Sequence, residues 1–218
     1  MVGGNPASHR TLAVLTGFGG GFLFTLALLE LMPAAFEVPN GALIAAAGYL
    51  LVHLTQHALT PHFHYGEETH GEAMVSRGIG MWALVGLLPH SFFDGVAIGG
   101  GFVRSQQLGT LVVMGVLLHK IPTGVSLASV VLASGNSQAQ ALLAVAGIAL
   151  ATVIGAALTP IVPGLVSYGL ALAAGVTLYV AASNLVPESQ HERGWLVQAG
   201  VFTGAAAFLL ARWVVIAS

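Results

Sequence analysis

Seven apolar runs, each near the length of a membrane-crossing helix and almost free of charge, dominate this chain. A helix needs about 20 apolar residues to cross a bilayer. The runs fall at about Leu12–Phe36, Gly41–Leu59, Ile79–Phe102, Leu108–Ser134, Ala139–Val162, Leu165–Val186 and Trp195–Ile216. Only 6% of the 218 residues are charged and 56% are hydrophobic, whereas soluble domains carry about 25% charged residues. So few charges cannot cover a water-facing surface, and the mean hydropathy is +0.88. The strict alternation of a membrane β-barrel is absent. The chain therefore reads as all-α, a polytopic membrane bundle of about seven transmembrane helices in a single domain, residues 1–218.

Small residues recur at helix-packing spacing, as in Gly17-Phe18-Gly19-Gly20-Gly21 and at Gly95 and Gly99. They allow close backbone approach in lipid, within the chain or in a homodimer. A net charge of −2 argues against nucleic-acid binding. The chain has no cysteine, which excludes disulfides and thiolate metal sites. Met1 to Arg10 lacks a basic segment followed by a cleavage site, so the first run is expected to be a retained span. Arg10, Arg77 and Arg193 on one side, against Arg104 and Arg212 on the other, favour a cytoplasmic N-terminus. The one long connection, His62–Arg77, is then a cytoplasmic His-rich loop holding His62, His64, Glu67, Glu68, His70 and Glu72.

Two polar clusters interrupt this apolar sequence. One is Pro89-His90-Ser91-Phe92-Phe93-Asp94-Gly95 and the other is His119-Lys120-Ile121-Pro122-Thr123-Gly124. Ionisable groups cost about 2.5–3.5 kcal/mol each at the centre of a membrane helix and by default mark a working site. His90 and Asp94 are four residues apart, as are His119 and Thr123, so each pair shares one helical face. Two adjacent antiparallel helices can aim all four groups at one point. Two imidazoles and a carboxylate suit Zn²⁺ or a similar divalent ion, with Thr123 or water completing the shell. The competing reading is a hydrogen-bonded polar knot that pins two helices. Pro89 and Pro122 remove backbone donors beside the clusters, and the expectation is a loosened helix there.

Other polar positions are fewer. Glu30 lies in the first run, and Asn184 and Glu188 lie late in the sixth, with His191 and Glu192 beyond. Glu30-x-x-Pro33 and Asn184-x-x-Pro187 echo each other, a trace of the internal symmetry seen in transporters. His53 and His57 also have helical i, i+4 spacing. With His62, His64 and His70 they make either a weak metal-collecting set or a polar helix end and a solvated loop.

The strings His90-Ser91-Phe92-Phe93-Asp94-Gly95 and His119-Lys120-Ile121-Pro122-Thr123-Gly124 resemble the H-N-x-P-E-G and H-E-x-P-E-G motifs of the ZIP divalent-metal transporters. Leu178 through Glu188 looks like that family's seventh helix, and the first run, ending Glu30-Leu31-Met32-Pro33-Ala34, looks like its second. The resemblance covers nearly the whole chain and is that of a divergent, prokaryotic-type member apparently lacking the first of the usual eight spans. It implies a multi-pass protein of a prokaryotic inner or plasma membrane that moves divalent metal, zinc foremost, with Fe, Mn, Co or Cd as other substrates. It also implies that Glu30, Asn184, Glu188 and His191 line the transport pathway. Several residues depart from the family pattern. Asp94 replaces a glutamate, Thr123 replaces another, Lys120 replaces an acidic residue, Ser91 replaces asparagine and Phe93 replaces proline. Family members often bridge two metals with those carboxylates. Here the expectation is one metal on His90, Asp94 and His119. Lys120 stands in the space of a second metal, with its ammonium near Asp94.

Two other functions compete. A non-transporting binding or regulatory homologue would have its site occupied by the Lys120 charge. A seven-helix intramembrane zinc hydrolase would need an open coordination position, and neither H-E-x-x-H nor G-x-S-x-G occurs. The chain is therefore expected not to be an enzyme.

Overall fold

The computed structural model describes residues 6–58, 77–190 and 194–217. Those residues form seven helical rods. Helix α1 runs over Pro6–Leu26, widens into a π-helical stretch at Ala27–Leu31 and finishes as Met32–Phe36. Next come α2 at Gly41–Ala58, α3 at Arg77–Arg104, α4 at Gln106–Ala133 and α5 at Gln138–Leu158. Helix α6 spans Leu165–Ser189, with π-helical stretches at Leu165–Gly169 and Val180–Leu185, and α7 is Trp195–Ala217. Six of these are long and apolar enough to cross a membrane. The exception is α2, whose 18 residues reach about 27 Å at 1.5 Å per residue, slightly less than the hydrocarbon thickness. The protein is an integral, multi-pass, all-α membrane bundle.

Local chemistry sets the helix ends. Ser105 caps α4 by accepting a hydrogen bond from the Leu108 amide at 3.1 Å. Ser137 and Gln140 form a reciprocal capping box at the start of α5. Gly135, at φ +80°, closes α4: its amide donates to Leu132 O, and the Asn136 amide donates to Val131 O. This is the double bond pattern of a left-handed glycine terminus.

The helices do not loosen at the two central prolines. Pro89 and Pro122 lie inside uninterrupted α-helix. Two of the three widened turns sit instead just before Pro33 in α1 and Pro187 in α6, and the third, Leu165–Gly169, follows Pro163. A proline ring clashes with the carbonyl four residues back, and a π turn relieves that clash without ending the helix. Glu30 and Asn184 both lie on these widened turns, so the sequence echo between the two segments is also a structural one.

Helix α1 threads the bundle, and its glycines account for this. Gly17 and Gly21 face Val201 of α7, Gly20 faces Leu185 and Val186 of α6, and Gly19 faces the backbone of His119 in α4. Gly95 of α3 meets the Thr152 backbone of α5, and Gly155 of α5 meets Phe92 O. The small-residue faces are thus used inside the chain, where a side chain would separate the rods. Helices α5 and α7 bury only 22% and 17% of their apolar windows, whereas α6 buries 56%, which places α5 and α7 at the periphery. Their outward side chains, among them Leu142, Leu143, Phe202 and Trp213, are apolar and exposed, as a lipid-facing surface requires.

Candidate metal centre

Counting from Arg77 and from Gln106, His90 and His119 are each the fourteenth of 28 residues in α3 and α4. The two helices are antiparallel, since Gly80 packs against Ser134 and Gly101 against Gly109. Both histidines therefore lie halfway through the bundle. His90, Asp94 and His119 are buried, at 3%, 2% and 0% exposure. Each offers a ligand atom within 4.8 Å of the others.

The spacing fits a small tetrahedral ion. His119 Nε2 is 3.2 Å and His90 Nε2 is 3.5 Å from the same Asp94 oxygen, Oδ2. Ligand atoms held 2.0–2.1 Å from tetrahedral zinc lie about 3.3–3.4 Å apart. The His119 tautomer is also set for ligation. Its Nδ1 donates to Gly115 O at 3.0 Å, so in the neutral ring the Nε2 lone pair faces Asp94. The Gly115 carbonyl is the outer partner that orients a metal-binding imidazole. His90 has no such partner, and its buried Nδ1 makes no hydrogen bond among the described residues.

Lys120 is part of the cluster. Its Nζ is 2.8 Å from Asp94 Oδ2 and donates to Ser91 Oγ at 2.7 Å. The ammonium thus sits on the oxygen that both imidazoles face, as expected for a lysine beside Asp94. Thr123 is buried, and its hydroxyl donates to His119 O at 2.8 Å, which leaves lone pairs on its oxygen. Thr152 of α5 donates to Ser91 O at 2.9 Å and fixes α3 beside the cluster.

A narrow cavity of about 10 Å³, room for roughly one water, leads away from His90. Gln56, Thr123, Asn184 and Glu188 line it. Gln56 is near the end of α2 and Glu188 near the end of α6, so the cavity runs toward the end of the bundle that carries both. Asn184 donates to Gln56 Oε1 at 2.9 Å. Toward the other end the route is filled by Phe22, Leu23, Leu26, Leu111, Val112 and Val116.

Glu30 lies beyond that apolar plug. It pairs with Arg212 of α7 and lines a larger cavity of about 280 Å³ with Glu37 and Arg104, which also pair. Glu30 and Glu188 are therefore at opposite ends, and neither touches the buried cluster. His53 is exposed, its ring edge-on to Tyr179 with centroids 5.8 Å apart. The side chain of His57, and all of His62, His64, His70 and His191, lie outside the described residues. Sequence reasoning missed Gln56, Gly115 and Thr152. Gln56 and Thr152 were visible as lone polar residues in apolar runs, but Gly115 acts through a backbone carbonyl and gave no signal.

A buried His–Asp–His set halfway through a polytopic bundle defines a class: a membrane protein with a central group of side chains able to hold a metal. A family model, the ZIP zinc transporter, matches residues 66–212. Zinc transporter GufA of Myxococcus xanthus is 32% identical over 192 residues, covering 81% of this chain and 73% of its own. Zinc transporter SLC39A7 of Rattus norvegicus is 34% identical over 159 residues, 66% of this chain and 33% of its own. The human SLC39A7 is 36% identical over 116 residues, 48% and 25% of the two chains. This chain spans about a third or less of the length of those SLC39A7 relatives. It belongs to the ZIP zinc transporter family.

Proposed function

We propose that this protein carries a divalent metal ion, zinc foremost, across a membrane through one site made of His90, Asp94 and His119. One observation carries the reading: two imidazole nitrogens, each 3.2–3.5 Å from one carboxylate oxygen and all three atoms within 4.8 Å of one another, buried at the bundle's midpoint. Family membership and the zinc-transporter names of its relatives support it. Soft-to-borderline nitrogen ligands with one carboxylate also accept Fe²⁺, Mn²⁺, Co²⁺ and Cd²⁺, and geometry does not rank them.

The site is mononuclear on this reading. Thr123 and Lys120 supply no second anionic bridge, and the Lys120 ammonium fills the flank where another cation would bind. Metal reaches or leaves the site along Asn184, Gln56 and Glu188 at one end, and through the Glu30 and Glu37 vestibule at the other. The seven helices cross the bilayer of a prokaryotic plasma membrane, with the N-terminus and the His-rich loop, including His62, His64 and His70, on the cytoplasmic side. That loop collects metal for the site. The protein is a carrier and not an enzyme.

Uptake of zinc into vesicles reconstituted with the full chain tests this. Saturable flux that His90→Ala removes is the expected result. Flux unchanged in that variant refutes the assignment. One observation favours a second reading, a metal-binding homologue that does not transport: Lys120 already holds Asp94 at 2.8 Å. Metal binding without flux would establish that alternative.

A further inference from the structure

We propose that Lys120 is a tethered counter-ion that replaces the metal on Asp94 whenever the site empties, so that the unloaded carrier can return. This rests on the carrier reading above and adds a step to it. Lys120, the two histidines and the metal must all use one carboxylate oxygen, because Nζ and both Nε2 atoms converge on Oδ2. Metal and ammonium therefore exclude each other there by geometry and by charge.

The electrostatic ledger favours such an exchange. With Lys120 on Asp94 the empty site is neutral. Without a cation it would hold an uncompensated carboxylate at 2% exposure among apolar helices, which resists any rearrangement that keeps it buried. Loading a divalent ion while Lys120 stays charged brings the site to about +2, so the ammonium also opposes binding and promotes release. Affinity is sacrificed for turnover, as a carrier needs.

The displaced ammonium has somewhere to go. Ser91 Oγ already accepts from Nζ at 2.7 Å, and Ser91 is held from behind by the Thr152 hydroxyl on its carbonyl. Lys120 is about one-sixth exposed, at 16%, whereas Asp94 is sealed. The lysine can therefore turn off Oδ2 while keeping its bond to Ser91 Oγ, and the carboxylate stays in place. No proton needs to leave for this cycle to run. Ser91 and Thr152 are positioning residues for the lysine.

The test separates two fluxes of radiolabelled zinc in vesicles carrying the full chain. Net uptake into metal-free vesicles requires the empty carrier to return. Exchange into vesicles preloaded with unlabelled zinc does not. Lys120→Met and Lys120→Gln should lower the ratio of net uptake to exchange by about tenfold or more. Both should bind zinc more tightly, by about tenfold, which also reports that the variants are folded. Lys120→Arg, which keeps the cation, should retain net uptake. Equal net-to-exchange ratios in wild type and in either neutral variant overturn the role of Lys120. Failure of wild-type protein to show either flux overturns the carrier reading itself, so the two failures are distinguishable.

Discussion

Two details of the buried cluster are decided atom by atom. The Gly115 carbonyl fixes which nitrogen of His119 faces the ligand cavity, and Asp94 supplies one oxygen to three neighbours. Asp94→Asn keeps the volume and removes the charge on which both ligation and the Lys120 pair depend. Zinc at about 100 times its dissociation constant should stabilise wild-type protein by about 2.7 kcal/mol, read as a rise in thermal midpoint in detergent. Asp94→Asn should abolish that rise, because losing a direct ligand exceeds the roughly 10–100-fold cost of losing an outer partner. A rise of the same size in the variant would remove Asp94 from the ligand set. The three candidate ligands were legible in the sequence because ionisable residues in apolar runs are conspicuous. The position of Lys120 on the same oxygen was legible only as proximity. Which oxygen it shares, and with whom, depends on side-chain rotamers across two helices.

At the scale of elements, glycine and proline do different work from what their positions alone suggest. The glycines mark contacts: Gly95 and Gly155 let α3 and α5 touch backbone to backbone behind the ligands. Gly95→Val should destabilise the bundle by about 1–3 kcal/mol, the usual cost of overpacking, and lower metal affinity by displacing Asp94. Gly147→Ala is the matched control. Its added methyl would lie 3.7 Å from Leu84, an ordinary contact. Better helix propensity should leave it neutral or stabilised by up to about 1 kcal/mol. Equal thermal midpoints in the two variants would contradict the packing argument. The prolines near the site, by contrast, leave their helices α-helical, and two of the three wide turns fall at Pro33 and Pro187. Pro122 leaves the Leu118 carbonyl without its helical donor, and that carbonyl faces Gly19 of α1. What stands beside that freed carbonyl is information from a neighbouring rod.

For the whole molecule, the ion pairs report sidedness. Glu37 with Arg104, and Glu30 with Arg212, gather the ends of α1, α3 and α7 at one end of the bundle. Glu37 and Arg104 are 59% and 40% exposed, so their pair contributes at most about 1 kcal/mol; it marks direction more than it stabilises. Because the chain has no cysteine, single cysteines give a clean topology test. Gln107→Cys, in the first turn of α4, and Gln138→Cys, at the start of α5 just past the far end of α4, lie on opposite sides of that span and are both exposed. With a cytoplasmic N-terminus, a membrane-impermeant maleimide should label Gln107→Cys on intact cells and Gln138→Cys only after permeabilisation. The reverse pattern would invert the orientation, and labelling of both on intact cells would contradict a spanning α4. By itself the sequence determined the solvent, the helical class, the number of rods to within the short α2, and the three residues that gather into a group able to hold a metal. Each of these follows from local composition or from spacing along one helix, because burial in lipid is set by a run of apolar side chains and not by partners. The tertiary structure alone decided that the two histidines share one carboxylate oxygen and that Lys120 competes for it. It also decided that a small cavity adjoins His90 on the Gln56 and Glu188 side while apolar side chains fill the other side, since each of these depends on distances between rods that no single stretch of chain encodes.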